Sequence, residues 1–91
     1  MFWGDGRRDD RTLVARFLDE RSEALFRALY RRHTPRMLGL ARRLSIGGSP
    51  SPEDVVQDAW VRAVAAMPAF EWRSSLAAWL GAFVVDVVRV H

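Results

Sequence analysis

Residues 22–44 read Ser22-Glu23-Ala24-Leu25-Phe26-Arg27-Ala28-Leu29-Tyr30-Arg31-Arg32-His33-Thr34-Pro35-Arg36-Met37-Leu38-Gly39-Leu40-Ala41-Arg42-Arg43-Leu44. Within this stretch Phe26, Leu29, Tyr30, His33, Met37, Leu40, Ala41 and Leu44 recur every three or four residues. At about 100° per residue they fall in a stripe roughly 120° wide, which is the apolar side of a core-facing α-helix. Pro35 lies inside the stripe and removes one ladder hydrogen bond, at a cost of ~3 kcal/mol in a regular helix interior. Two readings follow: a kink at Pro35, or a restart with Thr34 as cap. The stripe keeps its register across the proline, which favours one long kinked helix. His33, on the apolar side, reads as a hydrogen-bonded core histidine rather than a ligand or a base.

Outward from this helix the signals stay helical. Upstream, Leu13, Val14, Phe17 and Leu18 mark a short amphipathic helix, and residues 1–10, charged and without period, read as a flexible leader. Downstream, Gly47-Gly48-Ser49-Pro50 is a turn. Ser51-Pro52-Glu53-Asp54 then supplies a cap, a proline at the first helical position and two carboxylates where the helix dipole favours them. The third helix should bury Val56, Ala59, Trp60, Ala63 and Met67 and turn Asp54, Gln57, Asp58, Val61 and Arg62 outward, stopping at Pro68. A loop of Phe70, Glu71, Trp72 and Arg73 leads to Ser74 and Ser75, either of which can cap a last helix with Leu76, Trp79, Leu80, Phe83, Val84, Val87 and Val88 inward. Its valines also suit a strand, but no second strand is available to pair with it. The expected fold is all-α: one small bundle of about four helices.

Composition limits what such a bundle can do. The chain has 91 residues, 49% hydrophobic and 27% charged, enough for one small core. It has no cysteine, so neither a disulfide framework nor a thiolate zinc site is available, and a reducing, cytoplasmic setting is expected. The longest apolar run, Leu76 to Val85, is well short of the ~20 residues of a membrane span. No nucleophile-elbow serine appears, and Asp54 and Asp58, outward on one helix face, lack the desolvation that would split them into an acid and a base. The Gly47-Gly48 turn lacks the Walker pattern and its lysine. No enzyme, no metal and no cofactor is expected.

All fourteen basic residues are arginine, with eleven arginines and six acids up to Ile46 against three and five beyond it. Such a split suggests two working faces, with nucleic acid and a protein partner as candidate counterparts, the alternative being a solvated helix surface. On the long helix Arg27, Arg31 and Arg42 flank one side of the stripe and Arg32, Arg36 and Arg43 the other, with no acid between Glu23 and Glu53. A polyanion or an acidic protein surface would relieve that repulsion. In the segment from Phe70 to Ser75, two aromatics, an arginine and two hydroxyls form the mixture that single-stranded nucleic acid needs. The same aromatics would equally serve to plug the end of the bundle.

Three segments together resemble a known family. They are Leu29-Tyr30-Arg31-Arg32-His33-Thr34-Pro35-Arg36; Pro52-Glu53-Asp54-Val55-Val56-Gln57-Asp58-Ala59-Trp60-Val61-Arg62-Ala63; and Phe70 with Ser74-Ser75-Leu76 and Trp79-Leu80. In this order and spacing they resemble region 2 of bacterial RNA polymerase sigma factors of the sigma-70 family, most closely the extracytoplasmic-function type. The resemblance runs from about Leu13 to the end, so residues 11–91 are expected to form the region-2-like domain. It implies docking on the clamp helices of the polymerase β′ subunit through Asp54, Gln57, Asp58, Val61 and Arg62. It also implies capture of a flipped base from the single-stranded minus-ten promoter element by the Phe70 to Ser75 loop, with Trp79 as a pocket wall or as core. An anti-sigma protein is a further partner the family implies. Where many members carry basic residues and an asparagine after the tryptophan-leucine pair, this chain has Gly81-Ala82-Phe83-Val84-Val85-Asp86, and only Arg89 remains for phosphate contact. The second, helix-turn-helix domain of the family is not expected within these 91 residues. A sigma-like module that binds polymerase or a regulatory partner without reading DNA is the alternative.

Overall fold

The computed structural model describes residues 6–90. Four α-helices follow one another: α1 (Gly6–Glu20), α2 (Glu23–Leu44), α3 (Pro52–Ala66) and α4 (Leu76–Val90), with short 3-10 turns at Ile46–Gly48 and Met67–Ala69. No strand occurs among the described residues, so the valine-rich last segment is helical. None of the helices is long and apolar enough to cross a membrane.

The link between α1 and α2 is two residues long. Arg21 takes a left-handed φ of 52° and its amide closes on the Phe17 carbonyl at 2.7 Å. Ser22 then caps α2, its hydroxyl accepting from the Leu25 amide at 3.3 Å. Helix α2 runs unbroken through Pro35. Thr34 therefore does not restart the helix; its hydroxyl accepts a hydrogen bond from the Trp60 indole of α3 at 2.9 Å. Leu25, Leu29, His33, Met37 and Ala41 are buried, while Tyr30 and Leu44, at the edge of the expected stripe, remain partly exposed.

Helix α3 buries Val55, Val56, Ala59, Trp60 and Ala63, and α4 buries Leu76, Leu80, Val84 and Val87. With Val14 and Phe17 of α1 these close a single core. Ser51 occupies the cap position of α3 but makes no side-chain cap; its hydroxyl donates to the Glu53 carboxylate at 3.1 Å. At α4 the choice between the two serines falls on Ser75, whose hydroxyl accepts from the Ala78 amide at 3.1 Å.

Residues 6–10, assigned to the leader on sequence grounds, are the first turns of α1; residues 1–5 lie outside the described residues. The reason is a long-range pair. Asp10 is only 6% exposed, and one of its oxygens accepts from His33 Nε2 at 3.0 Å and from Arg32 Nη1 at 3.1 Å. A carboxylate can only accept, so the histidine nitrogen is the donor. His33 is thus the hydrogen-bonded core histidine expected of its position.

Candidate functional site

The pitch of α3 sets the first candidate surface. With Val55, Val56, Ala59 and Trp60 turned to the core, Asp54, Gln57, Val61 and Arg62 are exposed and Asp58 is half-buried at the rim. Arg62 holds Asp58 in a two-point contact one turn back, Nε to Oδ1 at 3.1 Å and Nη2 to Oδ2 at 3.2 Å. As a half-exposed pair it adds only about 0.3–0.5 kcal/mol to stability, so its main effect is to fix where both charges sit. Val61 is 70% exposed, an aliphatic side chain left in water. Beside it lies a hollow of about 540 Å³, floored by Phe26, Tyr30 and Trp60 and rimmed by Asp54, Gln57 and Asp58. A second hollow, between Phe17, Phe26 and Val64, adjoins Val61 on its other side.

The floor is a rigid aromatic stack. Trp60 lies against Tyr30 with centroids 5.7 Å apart and meets Phe26 edge-on at 5.4 Å. Its indole is 97% buried in the sense that only 3% of the residue is exposed, and its one donor is taken by Thr34. Sequence reasoning placed these rings on core stripes and did not join them to the outward residues of α3. The spacing of Phe26 and Tyr30, four apart on one helix face, was visible; their meeting with Trp60 was not, because it spans thirty residues of chain or more. At the start of α3 the Glu53 carboxyl is held below its ordinary range, first by a backbone hydrogen bond and then by the Ser51 hydroxyl.

The second candidate surface is the turn into α4. Phe70 packs on Trp72 and on Trp79, centroids 4.5 Å apart in both pairs, and Trp79 meets Phe83 edge-on at 4.8 Å. These four rings are half-buried and packed on the core. Trp72 has a left-handed φ of 59°, a conformation that costs roughly 1–2 kcal/mol for a side chain of this kind. The Arg11 guanidinium of α1 sits 5.2 Å over the Trp72 ring. Ser74 donates to the Ser75 carbonyl at 3.1 Å, which leaves the Ser74 oxygen able to accept, and the Ser75 hydrogen able to donate.

Not every residue expected at this site gathers there. Phe70, Trp72 and Trp79 come together and Ser74 and Ser75 follow them in the turn, whereas Arg73 turns to Glu71 in an exposed pair at 2.9 Å. Arg89 lies fourteen residues beyond Ser75 on α4, about 20 Å away at helical rise. Arg11, which the sequence offered no reason to single out, is the cation that meets the aromatic group. The rings stack mainly on one another, so they do plug the end of the bundle; being half-buried, they also leave part of their surface exposed.

The arginines of α2 divide by their partners. Arg27 pairs with Glu23 and Arg32 with Asp10, while Arg31, Arg36, Arg42 and Arg43 have no ion pair among the described residues.

A family model described as Sigma-70 region 2 matches residues 29–86, more than half of the chain and from α2 well into α4. The chain belongs to the sigma-70 region 2 family. No curated protein and no solved structure matches it significantly. Region 2 of sigma-70 factors is a transcription-initiation domain, associated with RNA polymerase core and with recognition of the minus-ten promoter element; it is not an enzyme family.

Proposed function

We propose that this domain docks on the β′ clamp helices of RNA polymerase core through Asp54, Gln57, Asp58, Val61 and Arg62, and recognises and melts the minus-ten element by capturing a promoter base at the loop from Phe70 to Ser75. The observation that carries the reading is the α3 surface: an exposed valine between two apolar hollows, ringed by fixed charges, which is the apolar centre and polar rim of a protein interface. Its α3 residues lie inside the family match. At the loop, the Phe70, Trp72 and Trp79 rings offer stacking surface, and Ser74 and Ser75 offer polar contacts to a base edge. Unstacking a base costs a few kcal/mol, which such contacts have to offset. On the resemblance of its motifs we take the domain to be of the extracytoplasmic-function type, working in the cytoplasm, with no catalytic role and an anti-sigma protein as a further partner. The finer contributions of Glu71, Arg73 and Arg89 belong to this proposal as solvent-facing contacts to the strand.

The experiment is binding of polymerase core by the Gln57→Ala/Asp58→Ala variant. A tenfold or greater loss of core affinity with unchanged melting supports the docking face; unchanged affinity removes it. The mutual stacking of Phe70, Trp72 and Trp79 favours a second reading, a protein-interaction module that binds polymerase or a regulatory partner without reading DNA. Under that reading, core affinity falls in the same variant and no promoter sequence is preferred.

A further inference from the structure

Between α2 and α4 runs a groove of about 440 Å³. Leu40 of α2 and Ala78, Gly81 and Val85 of α4 line it, and Arg36 and Arg43 stand on it from the α2 side. Among the described residues no carboxylate lines it, although Asp9 and Asp10 line the adjoining hollow that shares Arg36 and Ser75. The two arginines are seven residues apart on one helix, about 10 Å by helical rise. Neither has an ion-pair partner among the described residues, in contrast to Arg32 one turn before Arg36, which Asp10 neutralises. Ser75, the last residue of the candidate capture loop, lines the same groove, so the groove starts where the loop ends.

From this arrangement we infer that Arg36 and Arg43 form a phosphate track: the backbone of a single strand held at the Phe70 to Ser75 loop runs along the groove and is neutralised from α2, not from α4. The inference rests on the base-capture reading of that loop. It accounts for an oddity of the sequence, since α4 offers Ala78, Gly81, Ala82 and Val85 on this side and keeps its one basic residue, Arg89, for the far end. Small side chains on α4 let a backbone lie close, and guanidinium forks on α2 match phosphate oxygens. None of the described residues lining the groove is aromatic, so on this inference it reads no base and contributes affinity without sequence preference.

The test titrates the 91-residue chain with two single-stranded oligonucleotides, one minus-ten-like and one scrambled, over a series of salt concentrations. Four proteins are compared: wild type, Arg36→Ala/Arg43→Ala, Arg31→Ala/Arg42→Ala and Trp72→Gly. The second pair removes the same charge from the other side of α2, and glycine suits the left-handed φ at position 72. Each phosphate contact to a single strand contributes about −0.7 to the slope of log affinity against log salt. Arg36→Ala/Arg43→Ala should therefore flatten the slope by about 1.4 and weaken both oligonucleotides alike, on the order of tenfold near 0.1 M salt. Arg31→Ala/Arg42→Ala should change the slope by less than half as much. Equal losses in the two double variants, an unaltered slope in Arg36→Ala/Arg43→Ala, or a wild-type affinity that does not depend on salt each overturns the track. Trp72→Gly separates the two ideas: if it leaves sequence preference untouched while the arginine pair still sets the slope, the base-capture reading fails and the track stands.

Discussion

Asp10→Ala is the perturbation that most sharply separates what residues 6–10 look like in sequence from what they do in the fold. In the folded chain the carboxylate is buried, and one oxygen accepts from both His33 and Arg32 at 3.0 and 3.1 Å. The bond to His33 lies between two residues that are each 6% exposed, so its loss costs roughly 1.5–3 kcal/mol as a hydrogen bond to a charged group and leaves a buried ring nitrogen without a partner. Arg32 is 40% exposed at its side chain and finds water instead, so its share is below about 1 kcal/mol. The sum is about 2–4 kcal/mol, set against a total of roughly 5–14 kcal/mol for a domain of this length. Urea denaturation with circular dichroism should show a lower midpoint at unchanged m-value, and heating a fall in Tm of about 10–25 °C. Asp10→Asn keeps an acceptor for His33 and should lose about half as much. If Asp10→Ala unfolds within about 0.5 kcal/mol of wild type, α1 is not pinned by this pair and the reasoning fails.

Four further outcomes follow from the same structure. Thr34→Val removes the acceptor of the Trp60 indole, 2.9 Å away, and should destabilise by about 1–3 kcal/mol, with Thr34→Ser restoring most of it in the same denaturation assay. Gly81→Ala should stabilise by about 0.5–1 kcal/mol, because the added Cβ meets only Leu40 Cδ2 at an ordinary 3.5 Å and alanine favours a helix interior; a lower Tm would show that α4 lacks that room. Glu53, held below its usual range, stabilises the start of α3 above the ordinary carboxylate pKa and loses that effect as pH falls through its lower folded value. The stability advantage of wild type over Glu53→Gln should thus be present at pH 7 and shrink below about pH 4.5; an advantage that grows with acidity would contradict the assignment. Val61→Asp should leave stability within about 0.5 kcal/mol, the side chain being exposed, yet abolish measurable binding to polymerase core in a pull-down titration.

Local periodicity made much of this fold legible. The inward faces of α3 and α4 follow from a 3.6-residue repeat that the core then satisfies, and the outward residues of α3 follow by subtraction. Ser22, Pro52 and Ser75 mark helix starts because their effect is confined to one turn of backbone. The start of α1 was not legible: Asp10 becomes helical and buried through partners 22 and 23 residues away, which no local window contains. The same distance hides the Thr34 to Trp60 bond and the Arg11 to Trp72 contact. Ser51 misled in a different way, since its hydroxyl had a nearer acceptor in Glu53 than the amides it was expected to serve.

For the candidate surfaces the division is similar. Periodicity separates Asp54, Gln57, Asp58, Val61 and Arg62 from the core, but the aromatic hollow beside them depends on how α2 crosses α3. The six arginines of α2 look equivalent in sequence; only the folded chain distinguishes Arg32, committed to Asp10, from Arg36 and Arg43, which line the groove against α4 and have no ion pair among the described residues.

On this reading one small domain joins polymerase to an opened promoter strand. That joining is tested most directly by adding the 91-residue chain to polymerase core and measuring, by fluorescence anisotropy, capture of a labelled minus-ten-like single strand against a scrambled one. The complex should prefer the minus-ten-like strand by tenfold or more, and with Gln57→Ala/Asp58→Ala the strand should be held by the free chain alone, without core. Equal affinity for the two strands, with the core firmly bound, would contradict it.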